Sequence, residues 1–527
     1  MASRRVALAA AVALLNASLS FHNIWPTPAI AWTGELSIEA AVLIPFLRLV
    51  PVRSGEPSRG WLRALAIAWV LLVLGHYADV TTPALYGRDI NLYWDARYMP
   101  DVAAMIARAA PWWLLATAVA ALAAALSALY AVFRWALRRV IVDMDRALHA
   151  SLAVAAYSLV VIALFLLSRT TKVVPGTLFA TPVTATYARQ ARLVAGARRA
   201  SAALPPSPAM TADLARVGGA DVFLIFIESY GAIAYEKADV APGLVEPRGI
   251  LDAAIRDTGR GVVSAFVDSP TFGGSSWLAH ISLMSGIEVR DPGTNSRLMT
   301  ERRETIVTNF KSRGFRTVAL MPGLRQRWPE GAFYNFDQID GAARLDYHGP
   351  EFGWFAIPDQ FSLATFDRLE LDRAPRPNLF VFYPTISTHF PFSPTPPYQP
   401  DWARMFDARP YDAAPIVNAY AAQPDWVHFS PGYVDAVSYT YRMLAGYLRK
   451  QANRDIVFVL LGDHQPAAAV TGEGASWSVP VHVVTSRRAI LEALVAHGFR
   501  AGLAPARPAL GPLHELARLL LRAFSQS

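Results

Sequence analysis

Five polar residues of this chain could together bind a metal ion and carry out group transfer. Glu228, and the pair Asp463 and His464, each end an apolar, strand-like run, Ser276 follows a glycine pair, and His389 lies in a loop rich in proline and aromatic residues. An open α/β sheet places its site outside the carboxyl ends of its strands, which is where the two acidic clusters fall. Two carboxylates and an imidazole suit a divalent cation, and a hydroxyl bound to such a cation becomes a nucleophile.

Four metal ligands are predicted: Glu228, Asp463, His464 and Ser276. Mixed oxygen and nitrogen ligation favours one Zn²⁺ or Mn²⁺ ion over Ca²⁺. Each residue alone has a more ordinary role, as a cap, a salt-bridge partner or a structural side chain. Their occurrence after two separate strands is what favours a shared ion.

The nucleophile is expected in the segment 269–286, which begins as a glycine-rich turn and becomes apolar at helical spacing. A hydroxyl in the first turn of a helix lies beside free backbone N–H groups and the positive end of the helix dipole. Ser276 is the main candidate, and Thr271 and Ser275 are alternatives. The ordinary interpretation is that Ser275 or Ser276 only caps the helix.

After about residue 216, strand-like runs alternate with helix-like ones. The predicted strands are continuous apolar runs, which is typical of a sheet covered on both faces. The pattern predicts an α/β domain with a largely parallel central sheet and helices on both faces. The predicted strands are Val222–Ile227, Val262–Val267, Thr317–Met321, Leu379–Tyr383, Ile456–Leu461 and Val481–Val484, and the predicted helices are Glu301–Ser312, Tyr433–Gln451, Ala489–His497 and Leu513–Phe524.

The first third of the chain is apolar enough to predict about five membrane spans, each near the roughly 20 residues that cross a bilayer. Arginines crowd alternate loops, so the positive-inside rule puts the N-terminus in the cytoplasm and the region after the fifth span outside. Glu35 and Glu39 lie at helical spacing in the second span, either as functional carboxylates or hydrated at the interface. The predicted spans are Val6–Phe21, Ala29–Val50, Trp61–Ala78, Trp112–Val132 and Leu152–Leu167.

Charge and composition indicate where the domains begin and end, which partners are expected and which kinds of site are excluded. The segment 1–168 is predicted as a transmembrane domain, 169–215 as a basic juxtamembrane linker, and 216–527 as the catalytic domain. The net charge of +8 comes from basic residues at membrane edges, so a lipid surface is favoured over nucleic acid. The absence of cysteine excludes disulfides, thiolate metal sites and a cysteine nucleophile.

Three segments resemble the alkaline phosphatase and sulfatase superfamily: 226–229 (Phe-Ile-Glu-Ser), 388–392 (Thr-His-Phe-Pro-Phe) and 462–464 (Gly-Asp-His). More specifically, they resemble its membrane-anchored branch, which includes lipoteichoic acid synthase and the lipid A phosphoethanolamine transferases. That branch has five spans followed by an exported sulfatase-like domain, so the resemblance covers nearly the whole chain. Its nucleophile lies nine residues before a Ser/Thr-Gly pair, which here counts back from Ser285 to Ser276, where the transferases usually have Thr.

The resemblance implies a reaction and its partners. A phospholipid donor in the outer leaflet would lose its head group, phosphoethanolamine or phosphoglycerol, to Ser276, and a glycan or lipid acceptor would then receive it. His389 would contact the transferred group or act as acid and base. Trp328 resembles a tryptophan of a substrate loop in lipoteichoic acid synthase. That loop carries Arg where this chain has Glu330, and Arg325 or Arg327 would compensate.

At several positions this sequence differs from the motifs of related enzymes, and these differences limit which reactions and metal sites are expected. The residues after Ser276 lack the Pro/Ala and Arg of the signature that sulfatases mature to formylglycine, which disfavours sulfate-ester hydrolysis. The glycine that follows Asp-His in many phosphoethanolamine transferases is replaced by Gln465. A second metal would need further ligands, for which His280 and His482 are the candidates.

Three hypotheses follow from these residues. The first is a head-group transferase in the bacterial inner membrane, multi-pass, with its catalytic domain facing the periplasm or exterior. The second is a metal-dependent phosphodiesterase of the same fold, in which water resolves the intermediate. The third is a non-catalytic membrane scaffold with a degenerate enzyme fold, which would bind no metal and would not respond to Ser276→Ala.

Overall fold

The computed structural model describes residues 2–96, 99–100, 103, 112–170, 175–199, 204–326, 328, 331–422, 425 and 428–526. The chain divides into two compact units, Met1–Ala200 and Ser201–Ser527. The first unit is helical, and the second is built on one large sheet.

Three helices of the first unit are long and apolar enough to cross a membrane, judged by length and composition over the described residues. They are Arg59–Tyr86, Trp112–Arg146 and Leu148–Thr170. A fourth apolar helix, Ala2–Ala17, has 16 residues, about 24 Å at the usual rise, which is shorter than a bilayer core of about 30 Å. The unit therefore has the composition of a membrane protein, while the span count and the exported side stay predictions.

The predicted continuous span Ala29–Val50 is wrong. Its first part forms an antiparallel ribbon in which Ile30–Trp32 pairs with Phe21–Asn23, and the helix covers only Ile38–Phe46. The helix begins late because Ser37 caps it, accepting a hydrogen bond from the backbone N–H of Ala40. Nine helical residues span about 14 Å, too short to cross a bilayer.

The two carboxylates of that segment have local partners. Glu35 precedes the helix and lies 2.7 Å from His22, and Glu39, in the first helical turn, accepts hydrogen bonds from the backbone and the hydroxyl of Thr184. Their predicted placement together on one helix face is therefore wrong. Thr184 belongs to the helix Val183–Arg199, which also packs on Arg59–Tyr86 through an ion pair between Arg189 and Asp79 at 2.8 Å.

An eight-stranded sheet forms the centre of the second unit. In chain order its strands are β1 Asp221–Ile227, β2 Gly261–Asp268, β3 Arg316–Met321, β4 Gln338–Gly341, β5 Leu379–Pro384, β6 Ile456–Gly462, β7 Ser478–Thr485 and β8 Arg500–Ala501. Their order in the sheet is β8-β2-β7-β6-β1-β5-β3-β4. Strands β6, β1, β5, β3 and β4 are mutually parallel, whereas β7 is antiparallel to both β6 and β2, and β8 is antiparallel to β2. The prediction of a largely parallel sheet is confirmed, with one antiparallel edge that it did not include.

Helices cover both faces of this sheet. On β1, Phe223, Ile225 and Ile227 face one hydrophobic cluster, while Val222, Leu224 and Phe226 face another. This alternation confirms the predicted two-sided burial. The described helices of the second unit are Ile233–Glu236, Val245–Asp257, Ser276–Ser285, Pro292–Leu298, Ile306–Ser312, Gly331–Tyr334, Ala342–Leu345, Asp359–Phe366, Ala413–Ala421, Ser430–Lys450, Ala468–Thr471, Arg488–Ala496 and Leu516–Phe524.

The predicted helix Glu301–Ser312 is shorter than expected. It begins at Ile306 because Thr305 caps it, in a box with Thr308. The closing helix is likewise shorter, since Leu513–Glu515 forms a 3₁₀ turn before Leu516–Phe524. The other predicted helices agree with the structure to within a few residues at their ends.

Candidate functional site

The register of the two central strands brings the predicted metal ligands together. Ile227 of β1 pairs with Gly462 of β6 in parallel, so the residues that follow, Glu228 and Asp463, leave the sheet side by side. The neighbouring strand β5 also ends here. The site therefore lies at the carboxyl edge of the parallel part of the sheet, as the sequence predicts.

Glu228, Asp463 and His464 offer ligand atoms that all lie within 4.8 Å of one another, the one such group of potential metal ligands among the described residues. His464 Nε2 lies 3.5 Å from Glu228 Oε1 and 3.7 Å from Asp463 Oδ2. His464 Nδ1 lies 2.7 Å from the carbonyl of Gln465 and donates to it, so Nε2 carries the lone pair that faces the carboxylates. All three residues are buried.

Ser276 completes this group. Its hydroxyl donates to Glu228 Oε2 at 2.8 Å, and its Oγ lies 3.2 Å from His464 Nε2. It is the first residue of the helix Ser276–Ser285. The side chain therefore points into the carboxylate and imidazole group, and it does not act as the helix cap.

The two alternative nucleophiles have other roles. The hydroxyl of Thr271 donates to the carbonyl of Gly274 at 2.6 Å and so closes the loop before the helix. Ser275 occupies the cap position with a left-handed backbone, φ 62°, and its side chain makes no capping hydrogen bond. The structure thus brings Ser276 to the ligand group, whereas Thr271 is used by the loop and Ser275 turns the backbone.

The loop before Ser276 is tied to the loop that follows β6. Ser269 Oγ donates to the carbonyl of Asp463 at 2.5 Å, and the N–H of Gly273 donates to the carbonyl of Gln465 at 3.0 Å. Gly462 lets the turn after β1 approach closely, because a Cβ there would lie 1.8 Å from the carbonyl oxygen of Tyr230. Glycine is thus required at the end of β6 by the neighbouring turn.

Burial and charge act in opposite directions on the two carboxyl groups. Burial would raise the pKa of Glu228, but the nearby imidazoles of His464 and His389 and its hydrogen bonds lower that pKa to about 2. Burial, and then the charge of Glu228, raise the pKa of Asp463 well above its usual range. Burial also lowers the pKa of His464, while the charge of Glu228 acts in the opposite direction. The two carboxyl groups share one negative charge unless a cation stabilises both.

A metal ion fits the residues that are present. Asp463 Oδ2 is buried and has no hydrogen-bond partner in the described part of the chain. Leaving a buried carboxylate oxygen without a partner is costly, so such an atom needs an explanation. A cation held by Glu228, Asp463, His464 and the Ser276 hydroxyl would satisfy it and would offset the repulsion between the two carboxylates.

His389 lies in a loop that is fastened to the Glu228 turn. The hydroxyl of Thr385 accepts a hydrogen bond from the N–H of Glu228 at 3.1 Å, and the hydroxyl of Thr388 donates to the carbonyl of Glu228 at 2.5 Å. Behind this loop, the buried carboxylate of Asp359 accepts from the backbone N–H groups of Ile386 and Ser387. These contacts fix the backbone that leads into the predicted acid and base, His389.

The ring of His389 is half-buried and has one nitrogen engaged. Its Nδ1 lies 2.8 Å from the carbonyl of Phe390 and donates to it, which leaves Nε2 to exchange a proton. The ring packs edge-on against Phe355 at 5.1 Å between centroids. Arg325 is exposed and donates to the carbonyl of Phe355 at 3.0 Å. It therefore binds the backbone of the residue on which the His389 ring packs.

The other predicted substrate residues are placed less directly. Trp328 packs against Tyr334, with ring centroids 5.5 Å apart, and borders the core on one face of the sheet. Arg327, and Glu330 in the comparison with lipoteichoic acid synthase, lie outside the described residues. A substrate role for Trp328, Arg325 and Arg327 stays a prediction.

The two histidines considered for a second metal do not join the ligand group. His280, one turn after Ser276, packs between the rings of Phe226 and Phe382, and burial lowers its pKa to about 3. His482 binds Ser264 through Nδ1 and tyrosine hydroxyls through Nε2. Within the described residues, the structure supports one metal site.

Four residues that hold the predicted site in place had no role predicted from the sequence, although two of them stand in the quoted motifs: Ser229, Thr385, Thr388 and Asp359. Ser229 stands directly after Glu228, and both threonines stand in the loop after β5, so their polarity at strand ends was a usable signal. Asp359 lies far from the motifs in sequence, and a single acidic residue gave no indication that it would bind the His389 loop.

Comparisons with known proteins give fold-level similarities. No family model matches the sequence, and no curated protein is significantly similar to it. Among solved structures, the lipoteichoic acid synthase LtaP from Listeria monocytogenes is 13% identical, with a TM-score of 0.36 over 54% of this chain and 69% of that one. A protein in the alkaline phosphatase superfamily from Vibrio parahaemolyticus is 17% identical, with a TM-score of 0.35 over 54% of this chain and 63% of that one.

A third solved structure is the phosphoglycerol transferase GacH from Streptococcus pyogenes, in complex with sn-glycerol-1-phosphate. It is 12% identical, with a TM-score of 0.38 over 65% of this chain and 81% of that one. At these identities and TM-scores the similarities carry no conclusion about what this chain does. The function proposed below therefore rests on the residues and geometry of this chain.

Proposed function

We propose that this chain is a metal-dependent transferase that moves a phospholipid head group, phosphoethanolamine or phosphoglycerol, through a covalent Ser276 intermediate to a glycan or lipid acceptor. One observation carries the proposal: the Ser276 hydroxyl contacts both Glu228 and His464, beside the unpartnered Asp463 Oδ2. The three long apolar helices support a substrate that resides in a membrane.

One divalent ion, Zn²⁺ or Mn²⁺, would be held by Glu228, Asp463, His464 and Ser276. When bound, it would supply Lewis-acid chemistry, lowering the pKa of the serine hydroxyl and polarising a phosphoryl oxygen. The buried position of the ligands strengthens this effect, because charges interact more strongly where water is excluded.

In the first step, Ser276 Oγ forms a bond to phosphorus, and the bond between phosphorus and the diacylglycerol oxygen breaks. The serine proton leaves to water, because Glu228 Oε2, to which the hydroxyl donates at 2.8 Å, belongs to a carboxylate with a pKa of about 2 and would face the cation. The leaving diacylglycerol oxygen takes its proton from the protonated ring of His389 through Nε2. The head group stays on Ser276 as a phosphodiester.

In the second step, an acceptor hydroxyl attacks the same phosphorus and the bond to Ser276 Oγ breaks. His389 Nε2, now neutral, takes the proton of the acceptor, and Ser276 regains a proton from water. A hydrolase would follow the same steps with water as the acceptor. The two activities use the same residues and differ only in which hydroxyl resolves the intermediate.

The test uses the full chain in membranes that contain phosphatidylethanolamine or phosphatidylglycerol labelled in the head group. We expect labelled glycan or lipid product together with unlabelled diacylglycerol, and neither with Ser276→Ala. The matched control is Ser275→Gly, which removes the neighbouring hydroxyl and suits the left-handed backbone at that position, and it should stay active. Label recovered only as free head group would assign the hydrolase, and equal activity of Ser276→Ala would exclude Ser276 as the nucleophile.

A further inference from the structure

Ser229 touches both carboxylates of the predicted metal site. Its backbone N–H donates to Asp463 Oδ1 at 2.8 Å, and its hydroxyl donates to Glu228 Oε1 at 3.0 Å. The residue is buried, with 4% of its surface exposed. One residue thus binds one oxygen of each of two acidic groups that belong to different strands.

In each of the two carboxylates, one oxygen is held by hydrogen bonds from the turn and the other is left for the site. Asp463 Oδ1 also accepts the N–H of His464 at 2.6 Å, so it is fully used, while Oδ2 has no partner within the part of the chain described. Glu228 Oε1 is held by Ser229, while Oε2 faces the Ser276 hydroxyl. Each acidic side chain therefore keeps one oxygen, Oδ2 or Oε2, for the site.

We propose that Ser229 holds Glu228 and Asp463 as ligands through one oxygen each and thereby sets the metal preference of the site. This inference rests on the proposed function, since it concerns the same ion. One oxygen from each carboxylate, His464 Nε2 and Ser276 Oγ make four donors, the number that Zn²⁺ favours. Ions that favour six or more oxygen ligands, such as Mn²⁺ or Ca²⁺, would need the second oxygens that Ser229 engages.

The backbone of Ser229 holds it in this position. Its φ is 56°, in the left-handed region that favours glycine, and its carbonyl accepts a hydrogen bond from the hydroxyl of Tyr433 at 3.0 Å. A non-glycine residue in this conformation is strained and persists where its surroundings hold it. Serine at this position therefore lowers the stability of the fold relative to glycine. The hydrogen bond from its hydroxyl to Glu228 gives a reason for a serine here.

The left-handed backbone allows a test that separates the hydroxyl from the stability of the fold. Ser229→Gly and Ser229→Ala both remove the hydroxyl and keep the N–H bound to Asp463. Glycine relieves the strain and alanine does not, so the glycine variant should unfold at the higher temperature. If the hydroxyl sets metal binding, both variants should lose affinity equally despite this difference in stability.

The experiment uses the full chain purified in detergent, stripped of metal and titrated with Zn²⁺, Mn²⁺ and Co²⁺ separately. We expect both variants to bind Zn²⁺ about 10- to 100-fold more weakly, as for other residues that orient metal ligands, with a smaller loss for Mn²⁺. The visible absorption of bound Co²⁺ should weaken as its coordination rises above four. Thr440→Ala is the control, because that buried hydroxyl bonds only within its own helix, and it should bind like the wild type.

The outcomes separate this inference from the proposed function. If the wild-type chain binds none of the three ions, the metal-dependent function itself is wrong. If the wild type binds Zn²⁺ and both Ser229 variants bind it with the same affinity and the same Co²⁺ spectrum, the function stands and the role of Ser229 is wrong. If Zn²⁺ affinity instead follows the unfolding temperature, with Ser229→Gly binding more tightly than Ser229→Ala, Ser229 acts only through the stability of the fold.

Discussion

Two buried polar clusters are connected through the turn after β1, and among the described residues only one of them has an unsatisfied side-chain atom. In the first, formed by Glu228, Asp463 and His464, Asp463 Oδ2 has no partner among the described residues. In the second, His482 Nδ1 binds the Ser264 hydroxyl at 2.6 Å and Nε2 lies 3.1 and 3.2 Å from the hydroxyls of Tyr230 and Tyr235. We call them the ligand cluster and the tyrosine cluster.

The difference between the clusters indicates their roles. A polar network in which each hydroxyl and ring nitrogen is paired makes the fold specific and rigid. A cluster with paired negative groups and one unpaired oxygen is instead arranged for a charge that comes from outside the chain. The tyrosine cluster therefore serves as the support on which the ligand cluster is built, since Tyr230 belongs to the turn that begins with Glu228.

The largest expected effect separates the two clusters by metal binding. Asp463→Asn keeps the shape of the side chain but removes its charge, so Zn²⁺ affinity of the full chain should fall by at least about 100-fold, more than changes to residues around the ligands cost. His482→Gln alters the tyrosine cluster but removes no ligand, so its loss of Zn²⁺ affinity should be much smaller. Equal losses in the two variants, measured by titration, would remove the distinction.

The next effect concerns the contact that joins the two clusters, between Gly462 at the end of β6 and the carbonyl of Tyr230. Gly462→Ala would place a Cβ 1.8 Å from the carbonyl oxygen of Tyr230, so the turn carrying Glu228 must move. We expect a loss of roughly 1–3 kcal/mol in the free energy of unfolding and weaker metal binding.

Gly249→Ala is the matched control for this change. It lies in the helix Val245–Asp257, with no heavy atom within 4 Å of the added Cβ, and it should gain roughly 0.5–1 kcal/mol. Denaturant titrations of the three proteins compare these values. A Gly462→Ala protein as stable as the wild type would mean that the turn is not fixed by β6.

The last effect is the pH dependence of the tyrosine cluster. Burial lowers the pKa of His482 to about 3, against about 6.5 in an unfolded chain. Between these values the unfolded chain binds a proton that the folded chain does not, so this contribution to stability is present above pH 6.5 and is lost as the pH falls toward 3.

Replacing His482 should make the free energy of unfolding depend less on pH. For His482→Gln, the slope of unfolding free energy between pH 6 and pH 4 should fall by about 1.4 kcal/mol per pH unit. His280, whose pKa burial also lowers to about 3, keeps its own contribution in the variant. Denaturant titrations at several pH values give both slopes, and an unchanged slope would show that His482 is accessible to protons in the folded chain.

The central strands and the ligand group were predictable for one physical reason. Strands buried on both faces are continuous apolar runs, so β1 and β6 were visible, and so were the polar residues at their ends. The edge strands were not predicted, because Gln338–Gly341 is short and partly polar and Arg500–Ala501 has two residues. Such strands are defined by pairing with neighbours, which the sequence alone does not display.

The membrane segment 29–50 and Ser229 show where sequence patterns stop being informative. Hydropathy averages over a window, so it did not register the ribbon and the late helix start at Ser37. Ser229 stands beside Glu228, and its importance comes from contact with Asp463, more than 230 residues later in the chain. A contact across two strands becomes visible only when the register of those strands is known.

The central claim is that a cation held by Glu228, Asp463 and His464 activates the Ser276 hydroxyl. The most direct measurement is the mass of the full chain after incubation with phospholipid membranes, with and without removal of metal, followed by peptide mapping. The account predicts a gain equal to one phosphoethanolamine or phosphoglycerol group on Ser276, absent after chelation and restored by Zn²⁺ or Mn²⁺. An adduct on another residue, or one on Ser276 that forms equally without metal, would contradict it.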